Sequence, residues 1–464
     1  MRWGPQMNDG GIAAGLLISI LTVIVAAPII AVLLREGGYV RRIFPILIMW
    51  RAGVFGFYAF WVLPFYGGSD FDAVRYHLEG SEIALLLRKG MWANIDWGLG
   101  THAVGIVTGA VYSIAGPNMI AMYFQGAVLG VISALVLGRT AEIALPPVVA
   151  RRFTVLMCFL PSFSVWSSIF GKDSWVILGL STMLYGCAIL EKSRRGAVKL
   201  ICIGAASALL FRPYLVFVFV PSLLIVACVM KPRAKSSRQF LLVGAAALAC
   251  ALFPAALRYV EIDNLRTPDI LNRANRSYIA NAVGGSSLDQ EAPNSPTQLI
   301  LLAPRGCVNM FLRPFPWEAH NSNAYLASIE NIALALCVIH VVFQKRLALK
   351  GFATRPLWLF AVTCAIPLIL LYSPNPNLGL LSRQRAQIIP LVAIAVCCGM
   401  RASARFRNTW RSGDSLVTCR RLYLTPASVF RSRALFAGRD RIGKRVLRRF
   451  GAVPPERHPN DRSV

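Results

Sequence analysis

The sequence predicts an all-α fold: a polytopic transmembrane helical bundle of about 11 spans, with an acidic first outer loop and a long outer loop before the ninth span. Two features of composition lead to this. Hydrophobic residues make up 56% of the 464 residues and charged residues only 15%. The apolar residues also fall in long blocks instead of amphipathic stripes, which indicates helices whose solvent is lipid. The third observation is that the basic residues cluster between these blocks.

The apolar blocks predict the spans in chain order, at 11–34, 44–64, 118–137, 153–170, 175–191, 200–211, 214–230, 239–257, 322–343, 355–373 and 387–400. The first block exceeds the core of a signal peptide and a second block follows it, so we expect a retained helix. The sixth block is shorter than the roughly 17–25 residues of a full span. Arg212-Pro213-Tyr214 is therefore expected to interrupt a broken helix. Residues 101–116 are apolar but short, and we expect a re-entrant or interfacial helix there.

The distribution of the basic residues that give the formal charge of +28 indicates the membrane topology. Basic clusters recur on alternate loops, and by the positive-inside rule these loops face the cytoplasm. This places the N-terminus outside, the C-terminus inside, and loops 65–117 and 258–321 on the outer side. The chain then divides into a transmembrane domain, 1–400, and a basic cytoplasmic tail, 401–464, in which 16 Lys or Arg face four acids. We expect the tail to bind anionic lipid headgroups, and nucleic acid is not an expected partner.

The first outer loop concentrates chemistry immediately after an apolar span. It carries Asp70, Asp72, Tyr76 and His77. Carboxylates at a membrane boundary are candidates for a general base or a metal ligand, although a solvated loop that ends a helix gives the same pattern.

Cations on the outer side form the second set of candidates. A guanidinium grips phosphate through two N–H groups where an ammonium acts as a point charge, so arginines on this side indicate an anionic lipid-phosphate partner. Helix ends and snorkelling to headgroups are the alternatives. Together with Tyr76 and His77 of the first outer loop, the predicted substrate-binding residues are Lys172, Asp173, Arg212, Tyr214, Arg383 and Arg385.

Several function classes lose support. The chain has no Gly-x-x-x-x-Gly-Lys-[Ser/Thr] phosphate loop, and its spans are nearly free of the mid-membrane ionisable residues that transporters and flippases use. Most of the eleven cysteines lie in or beside apolar blocks and are expected to be small buried hydrophobes instead of a disulfide framework. A polysaccharide polymerase or ligase stays open. Its hallmark would be essential residues in 258–321: Arg273, Arg276, Arg305 or His320.

Two segments carry a family resemblance. Asp72-Ala73-Val74-Arg75-Tyr76, followed by Leu85-Leu86-Leu87-Arg88-Lys89-Gly90-Met91-Trp92, resembles the first external loop of GT-C superfamily polyprenyl-phosphate-dependent membrane glycosyltransferases. The relatives are the protein mannosyltransferases and aminoarabinose transferases, and the bacterial exopolysaccharide type. The resemblance covers roughly residues 65–230.

This resemblance implies an enzyme of the bacterial cytoplasmic membrane. It would move a sugar from a polyprenyl-phosphate donor to a glycan or lipid acceptor on the outer face. Asp72 matches the catalytic aspartate of the family and Tyr76 its tyrosine, while Ala73 stands where the family has a second acid. Asp70 is the candidate to replace that acid. Apart from a divalent metal at these carboxylates, no cofactor is implied.

The long loop 258–321 is expected to cover the site as a lid. Residues 260–296 are rich in Asn, Asp, Ser, Gly and Pro and are expected to be mobile without substrate. Residues 297–312 regain an apolar pattern and predict short surface helices broken at Pro304-Arg305-Gly306. Arg313-Pro314-Phe315-Pro316-Trp317 would be the hinge into the ninth span.

Overall fold

The computed structural model describes residues 11–35, 38–62, 72–192, 196–229, 235–259, 275–276, 278–282, 287–288, 295–319, 322–343 and 355–399. Internal contacts divide the chain into two units, Met1–Arg401 and Ala402–Val464. All described residues belong to the first unit. The predicted basic tail lies outside them, as does Asp70.

The described part of the first unit is built from helices. In chain order they are α1 (Gly11–Arg35), α2 (Gly38–Phe57), α3 (Asp72–Arg88), α4 (Thr101–Ala115), α5 (Met119–Ala144), α6 (Pro147–Phe159), α7 (Pro161–Trp166), α8 (Lys172–Glu191), α9 (Ala197–Phe211), α10 (Val216–Val229), α11 (Lys235–Tyr259), α12 (Pro296–Phe311), α13 (Ser322–Phe343), α14 (Pro356–Tyr372) and α15 (Leu378–Gly399). A single turn of π-helix, Tyr58–Val62, extends α2.

By length and composition, six of the described helices can cross a membrane: Gly11–Arg35, Gly38–Val62, Met119–Ala144, Lys172–Glu191, Arg238–Arg258 and Leu378–Cys398. Other apolar helices are shorter, among them α9, α10 and α14. The protein is therefore a multi-pass membrane protein with an all-helical fold. The predicted number of about 11 full spans is supported only in part, because several predicted spans correspond to these shorter helices.

Two elements differ from the predicted ones. The predicted span 153–170 is wrong as a single helix, because α6 ends at Phe159 and α7 begins at Pro161. Proline lacks an N–H for the helix ladder and so favours the first position of a new helix. The predicted break at 304–306 is also wrong, because α12 continues through Pro304. By contrast, α9 ends at Phe211 and Pro213–Leu215 forms a separate 3-10 turn, as the predicted interruption requires.

Helices α5 and α8 form the centre of the bundle. Of the most apolar stretch of each helix, 72% is buried in α5 and 78% in α8, compared with 17% in α1. Helices with so little buried surface present their side chains to lipid. Residues at either end of α8 are consequently surrounded by protein.

The pairing of α8 with α9 places two helix ends side by side. Gly179 and Gly204 meet where the two backbones cross, and a Cβ on Gly179 would lie 2.5 Å from the carbonyl oxygen of Gly204. Small residues allow such close approach of membrane helices. Since a short connection joins the two helices, the chain reverses direction between them. The start of α8 at Lys172 therefore lies near the residue that follows α9, Arg212.

The long loop before α13 contacts the loop before α15. Leu288 N–H donates to the carbonyl of Pro376 at 2.6 Å, and Ser287 pairs with Asn377 in an isolated antiparallel bridge. Helix α12 packs against α14 and α15, and a Cβ on Gly306 would lie 2.3 Å from the Ser373 carbonyl. Most of the segment 260–296 lies outside the described residues, so its predicted mobility stays a prediction.

Candidate functional site

The candidate site is centred on the carboxylate of Asp173, in the first turn of α8. Its side chain is fully buried. Arg212 Nη2 donates to Oδ1 at 2.5 Å, Gln387 Nε2 donates to Oδ1 at 2.8 Å, and Arg383 Nε donates to Oδ2. A buried charge requires partners of this kind, since removing an ion from water costs several kcal/mol. Asp173 therefore joins the starts of α8 and α15 to the end of α9.

Arg383 connects this buried carboxylate with a second, accessible one. Its Nη1 lies 2.6 Å from Oδ2 of Asp72, at the first position of α3. The Asp72 side chain is 50% exposed and that of Asp173 is 0% exposed. One guanidinium thus bridges a carboxylate that solvent reaches and one that solvent does not.

Lys172 completes what we call the ionic cluster: Asp72, Lys172, Asp173, Arg212 and Arg383. Its Nζ donates to Thr101 Oγ1 at 3.1 Å. Lys172 forms no salt bridge within the part of the chain that the structure describes. The cluster holds three cations and two carboxylates. Its formal charge is therefore positive, which favours an anionic ligand beside the exposed carboxylate.

Three polar side chains support Arg212 and Asp173, and the sequence predicted only one of them. Arg212 Nη1 donates to Tyr214 OH at 2.8 Å and to Tyr372 OH at 3.4 Å, and Tyr372 OH lies 3.4 Å from Gln387 Oε1. Tyr214 was predicted; Tyr372 and Gln387 were not. Gln387 follows Arg383 by four residues in α15, so the two share a helix face. That spacing from Arg383 is the signal that could have identified it.

Tyr76 lies beneath the cluster and is fully buried. Its ring packs edge-on against Phe170 with the centroids 5.9 Å apart. The hydroxyl has no hydrogen-bond partner among the described residues. Burial raises the pKa of Tyr76 above its ordinary value, and the nearby Asp72 carboxylate adds to this effect. The neutral phenol is therefore available as a hydrogen-bond donor to a ligand.

Two predicted residues lie elsewhere. His77 is buried on another side of α3, where its Nδ1 lies 2.8 Å from Tyr112 OH. Arg385 is buried with Asn331, which accepts from its Nη1, and its Nη2 lies 3.9 Å from Glu330 Oε1. Residues two positions apart in a helix point in different directions, which explains why the side chains of Arg383 and Arg385 have different neighbours. The structure thus brings the other predicted binding residues together and leaves these two outside.

A divalent metal does not fit the described residues of the cluster. Among them, no group of three or more His, Cys, Asp or Glu side chains converges. The accessible oxygen of Asp72 already accepts from Arg383, and Lys172 lies nearby. A dication placed there would face cations at close range. We derive no step through a metal.

Comparison with protein families gives a match that covers residues 103–257. The matching model describes the dolichyl-phosphate-mannose-protein mannosyltransferase family. This part of the chain is similar to that family of membrane glycosyltransferases. It contains α8 and α9, and hence Lys172, Asp173 and Arg212, whereas Asp72 and Arg383 lie outside it. The predicted resemblance to GT-C glycosyltransferases and the prediction of an enzyme of this class are confirmed. Neither the search of curated proteins nor that of solved structures gives a match.

Proposed function

We propose that this membrane glycosyltransferase moves a sugar from a polyprenyl-phosphate donor to a glycan or lipid acceptor on the outer face of the cytoplasmic membrane. The observation that carries the proposal is the bridge from Arg383 to both Asp72 and Asp173, with Lys172 beside it. It places a net positive site next to an accessible carboxylate. The family match supports a lipid-phosphate sugar as the donor.

The donor phosphate binds at Lys172 and Arg383. Among the described residues, Lys172 Nζ donates only to the Thr101 hydroxyl, so two of its N–H groups can contact phosphate oxygens. Arg383 uses Nε and Nη1 for the two carboxylates, which leaves Nη2 for the donor. Arg212 is committed to Asp173 and to the two tyrosines, so its task is to hold Asp173 in place. These cations stabilise the negative charge on the departing phosphate.

Asp72 acts as the general base. The acceptor hydroxyl attacks the anomeric carbon while the bond from that carbon to the phosphate oxygen breaks. The electron pair remains on the phosphate, and the hydroxyl proton passes to Asp72. A single displacement of this kind inverts the configuration of the sugar. The half-exposed position of Asp72 lets an acceptor reach it without opening the bundle.

The test is transfer in proteoliposomes supplied with radiolabelled polyprenyl-phosphate mannose, glucose or aminoarabinose and a mixed glycan and lipid acceptor pool. We expect one donor to be consumed and its label to appear in an acceptor with inverted configuration. Asp72→Asn should lower kcat by about 100-fold or more, within the range for loss of a general base. Lys172→Gln should instead raise KM for the donor.

Two results would contradict the proposal. Full turnover in the Asp72→Asn enzyme would show that Asp72 is not the general base. If thermal unfolding shows that the enzyme is folded and it consumes none of the lipid-phosphate sugars, these sugars are not its donors. Arg385→Lys serves as a control, because Arg385 lies outside the ionic cluster.

A further inference from the structure

A histidine and carboxylate pair lies on the rim of the site, outside the ionic cluster. His102 Nδ1, in the first turn of α4, is 2.8 Å from Glu79 Oε1 in α3. Because a carboxylate accepts, Nδ1 carries the hydrogen, and in the neutral tautomer this leaves Nε2 as an acceptor. The His102 side chain is 42% exposed. The fold thus fixes the orientation of an imidazole whose second nitrogen can accept from a ligand hydroxyl.

The packing of α3 against α4 is built around this pair. A Cβ on Gly105 would lie 2.7 to 2.9 Å from atoms of the Glu79 side chain, and a Cβ on Gly98 would lie 3.1 Å from the imidazole. With Glu79 in this position, Gly105 leaves space only for hydrogen, and a Cβ on Gly98 would be in unusually tight contact with the imidazole. The carboxylate and the imidazole therefore fill sites that these glycines leave open.

Glu79 and the proposed base share one face of α3. Seven residues separate Glu79 from Asp72, which returns an α-helix to almost the same direction at a distance of roughly 10 Å along its axis. The pair is therefore displaced from Asp72 by roughly the length of two pyranose units, so a glycan whose reacting hydroxyl lies at Asp72 would bring its second sugar to the pair.

The loop before α4 adds the groups that bind carbohydrate. Trp92 and Trp97 are 58% and 57% exposed, and Trp97 Nε1 donates to the Trp92 carbonyl at 3.3 Å. Asp96 lies between them in sequence, 3.7 Å from His102 Nδ1 and 73% exposed. A pyranose ring has an apolar C–H face that stacks on indole and a rim of hydroxyls that bond to carboxylate and imidazole. Lipid headgroups and peptides match this combination less well.

Two bonds tie this rim to the ionic cluster. Thr101, the neighbour of His102, accepts from Lys172 Nζ at 3.1 Å. Gly100 N–H donates to the carbonyl of Leu210 at 2.9 Å, two residues before Arg212. The loop is therefore anchored to the elements that hold the donor phosphate.

We propose that His102, Glu79, Asp96 and Trp97 form an acceptor subsite for the second sugar unit of a glycan whose first unit lies at Asp72. This rests on the proposed function and specifies its acceptor as a carbohydrate with at least two sugar units. His102 Nε2 and Asp96 accept from its hydroxyls, and Trp97 stacks on its ring.

The test compares a methyl disaccharide with the matching methyl monosaccharide as acceptors for the full-length enzyme in proteoliposomes, in the manno and gluco series. The wild type should show a KM for the disaccharide about tenfold lower than for the monosaccharide, or 1.4 kcal/mol of binding free energy. Trp97→Ala and His102→Ala should abolish that advantage and leave the monosaccharide KM and the donor KM unchanged. His102→Gln, which keeps an acceptor, should restore part of it. Trp317→Ala is the matched control, since Trp317 is 78% exposed on another loop.

The outcomes separate the two proposals. Equal KM values for the two acceptors in the wild type, better transfer to a Ser/Thr peptide, or an undiminished disaccharide advantage in Trp97→Ala would each overturn the subsite. If no donor is turned over, the proposed function fails, and quenching of tryptophan fluorescence by the methyl disaccharide decides the subsite. Quenching that is lost in Trp97→Phe and kept in Trp317→Phe supports it, and equal quenching in both variants overturns it.

Discussion

At the scale of single residues, Asp173 holds the cations of the candidate site in position. It is the shared counter-ion of Arg212 and Arg383, and it is fully buried. Asp173→Asn keeps the shape but removes the charge, and breaking a buried ion pair from one side costs about 3–5 kcal/mol. We expect a lower thermal unfolding midpoint together with loss of transfer.

The matched control for this variant is Asp72→Asn. Asp72 forms a similar contact with Arg383 but is 50% exposed, so its ion pair should contribute less than about 1 kcal/mol. It should lose activity and keep the unfolding midpoint. Equal destabilisation by the two variants would show that burial does not distinguish the two carboxylates.

For Tyr76 we expect a substitution that lowers activity without lowering stability. Its buried hydroxyl lacks a partner among the described residues, and leaving such a group unsatisfied costs about 1–3 kcal/mol. Tyr76→Phe should therefore leave the unfolding midpoint unchanged or raise it, while transfer falls if the phenol contacts the ligand. Because burial raises the pKa of Tyr76, the group stays protonated at neutral and mildly alkaline pH. Activity should not decline near pH 10 through its ionisation. A lowered midpoint would show that the hydroxyl is already satisfied.

Which site residues could be predicted follows from their surroundings in the sequence. Lys172, Arg212 and Arg383 interrupt apolar stretches, where a charge has no solvent, so position alone identifies them. Tyr372 does not stand out, because an aromatic residue at a helix end is also typical of a membrane interface. The Glu79 and His102 pair depends on the approach of α3 to α4, and no local spacing indicates it.

At the scale of helices, the crossing of α8 and α9 holds the two halves of the buried ion pair together. Gly204→Ala would place a Cβ 2.5 Å from the Gly179 carbonyl oxygen. The helices must then separate, and overpacking of this kind costs about 1–3 kcal/mol. We expect a lower unfolding midpoint and a weaker Arg212–Asp173 contact, with reduced transfer.

Gly53→Ala is the control for that substitution. Gly53 lies inside α2 with nothing within 4 Å of a Cβ. Alanine there should stabilise the helix by up to about 1 kcal/mol. If both alanine variants unfold at the same temperature, the crossing is not as close as the structure has it.

Arg51 supports the segment that leads into the site. This fully buried cation of α2 donates from Nη1 to the Ser164 carbonyl at 2.6 Å and to the hydroxyls of Ser167 and Ser168 at 2.7 Å. The same segment carries Trp166, whose ring lies 5.9 Å from the Arg383 guanidinium. No carboxylate pairs with Arg51 among the described residues.

Arg51→Met should therefore separate stability from activity. Two nitrogens of this buried cation, Nε and Nη2, have no hydrogen-bond partner among the described residues. Because no ion pair offsets the desolvation cost of such a charge, an apolar side chain of similar size should be neutral or stabilising, and the freed serine hydroxyls can bond within their own turn. We expect an unchanged or higher unfolding midpoint and a kcat reduced about tenfold, because Trp166 and Arg383 lose their fixed position. If the Arg51→Met variant has a lower unfolding midpoint as well as lower activity, the role of Arg51 is structural only.

The sequence predicted the positions of helices correctly where the apolar blocks were long, as for α1, α5 and α8. It did not predict the effect of proline, which ends a helix at one position and lies inside a helix at another. Pro161 ends one helix and begins another, whereas Pro304 lies inside α12. Proline always removes one N–H donor, and whether neighbouring groups compensate depends on tertiary packing. Sequence alone could not distinguish the two cases.

At the scale of the whole molecule, the two ends of the central helix α8 differ in chemistry. Its first turn carries Lys172 and Asp173, joined to α15. Its last residue, Glu191, accepts from Arg355 Nη2 at 2.8 Å, at the start of α14. The exposed arginines Arg151 and Arg152 lie in the first half of α6, and the positive-inside rule assigns this basic end of the helix to the cytoplasm. The asymmetry predicts that the ionic cluster faces away from the cytoplasm.

Cysteine labelling tests this orientation. In a chain whose native cysteines are replaced by alanine, Lys89→Cys at the exposed end of α3 should react with a membrane-impermeant maleimide in intact cells. Arg152→Cys should react only after the membrane is permeabilised. Both variants keep the ionic cluster intact, so transfer activity reports that the labelled protein is native. The reverse pattern would place the cluster on the cytoplasmic side. In that case the donor would have to present its sugar phosphate at the inner leaflet, and an acceptor glycan on the outer face would be excluded.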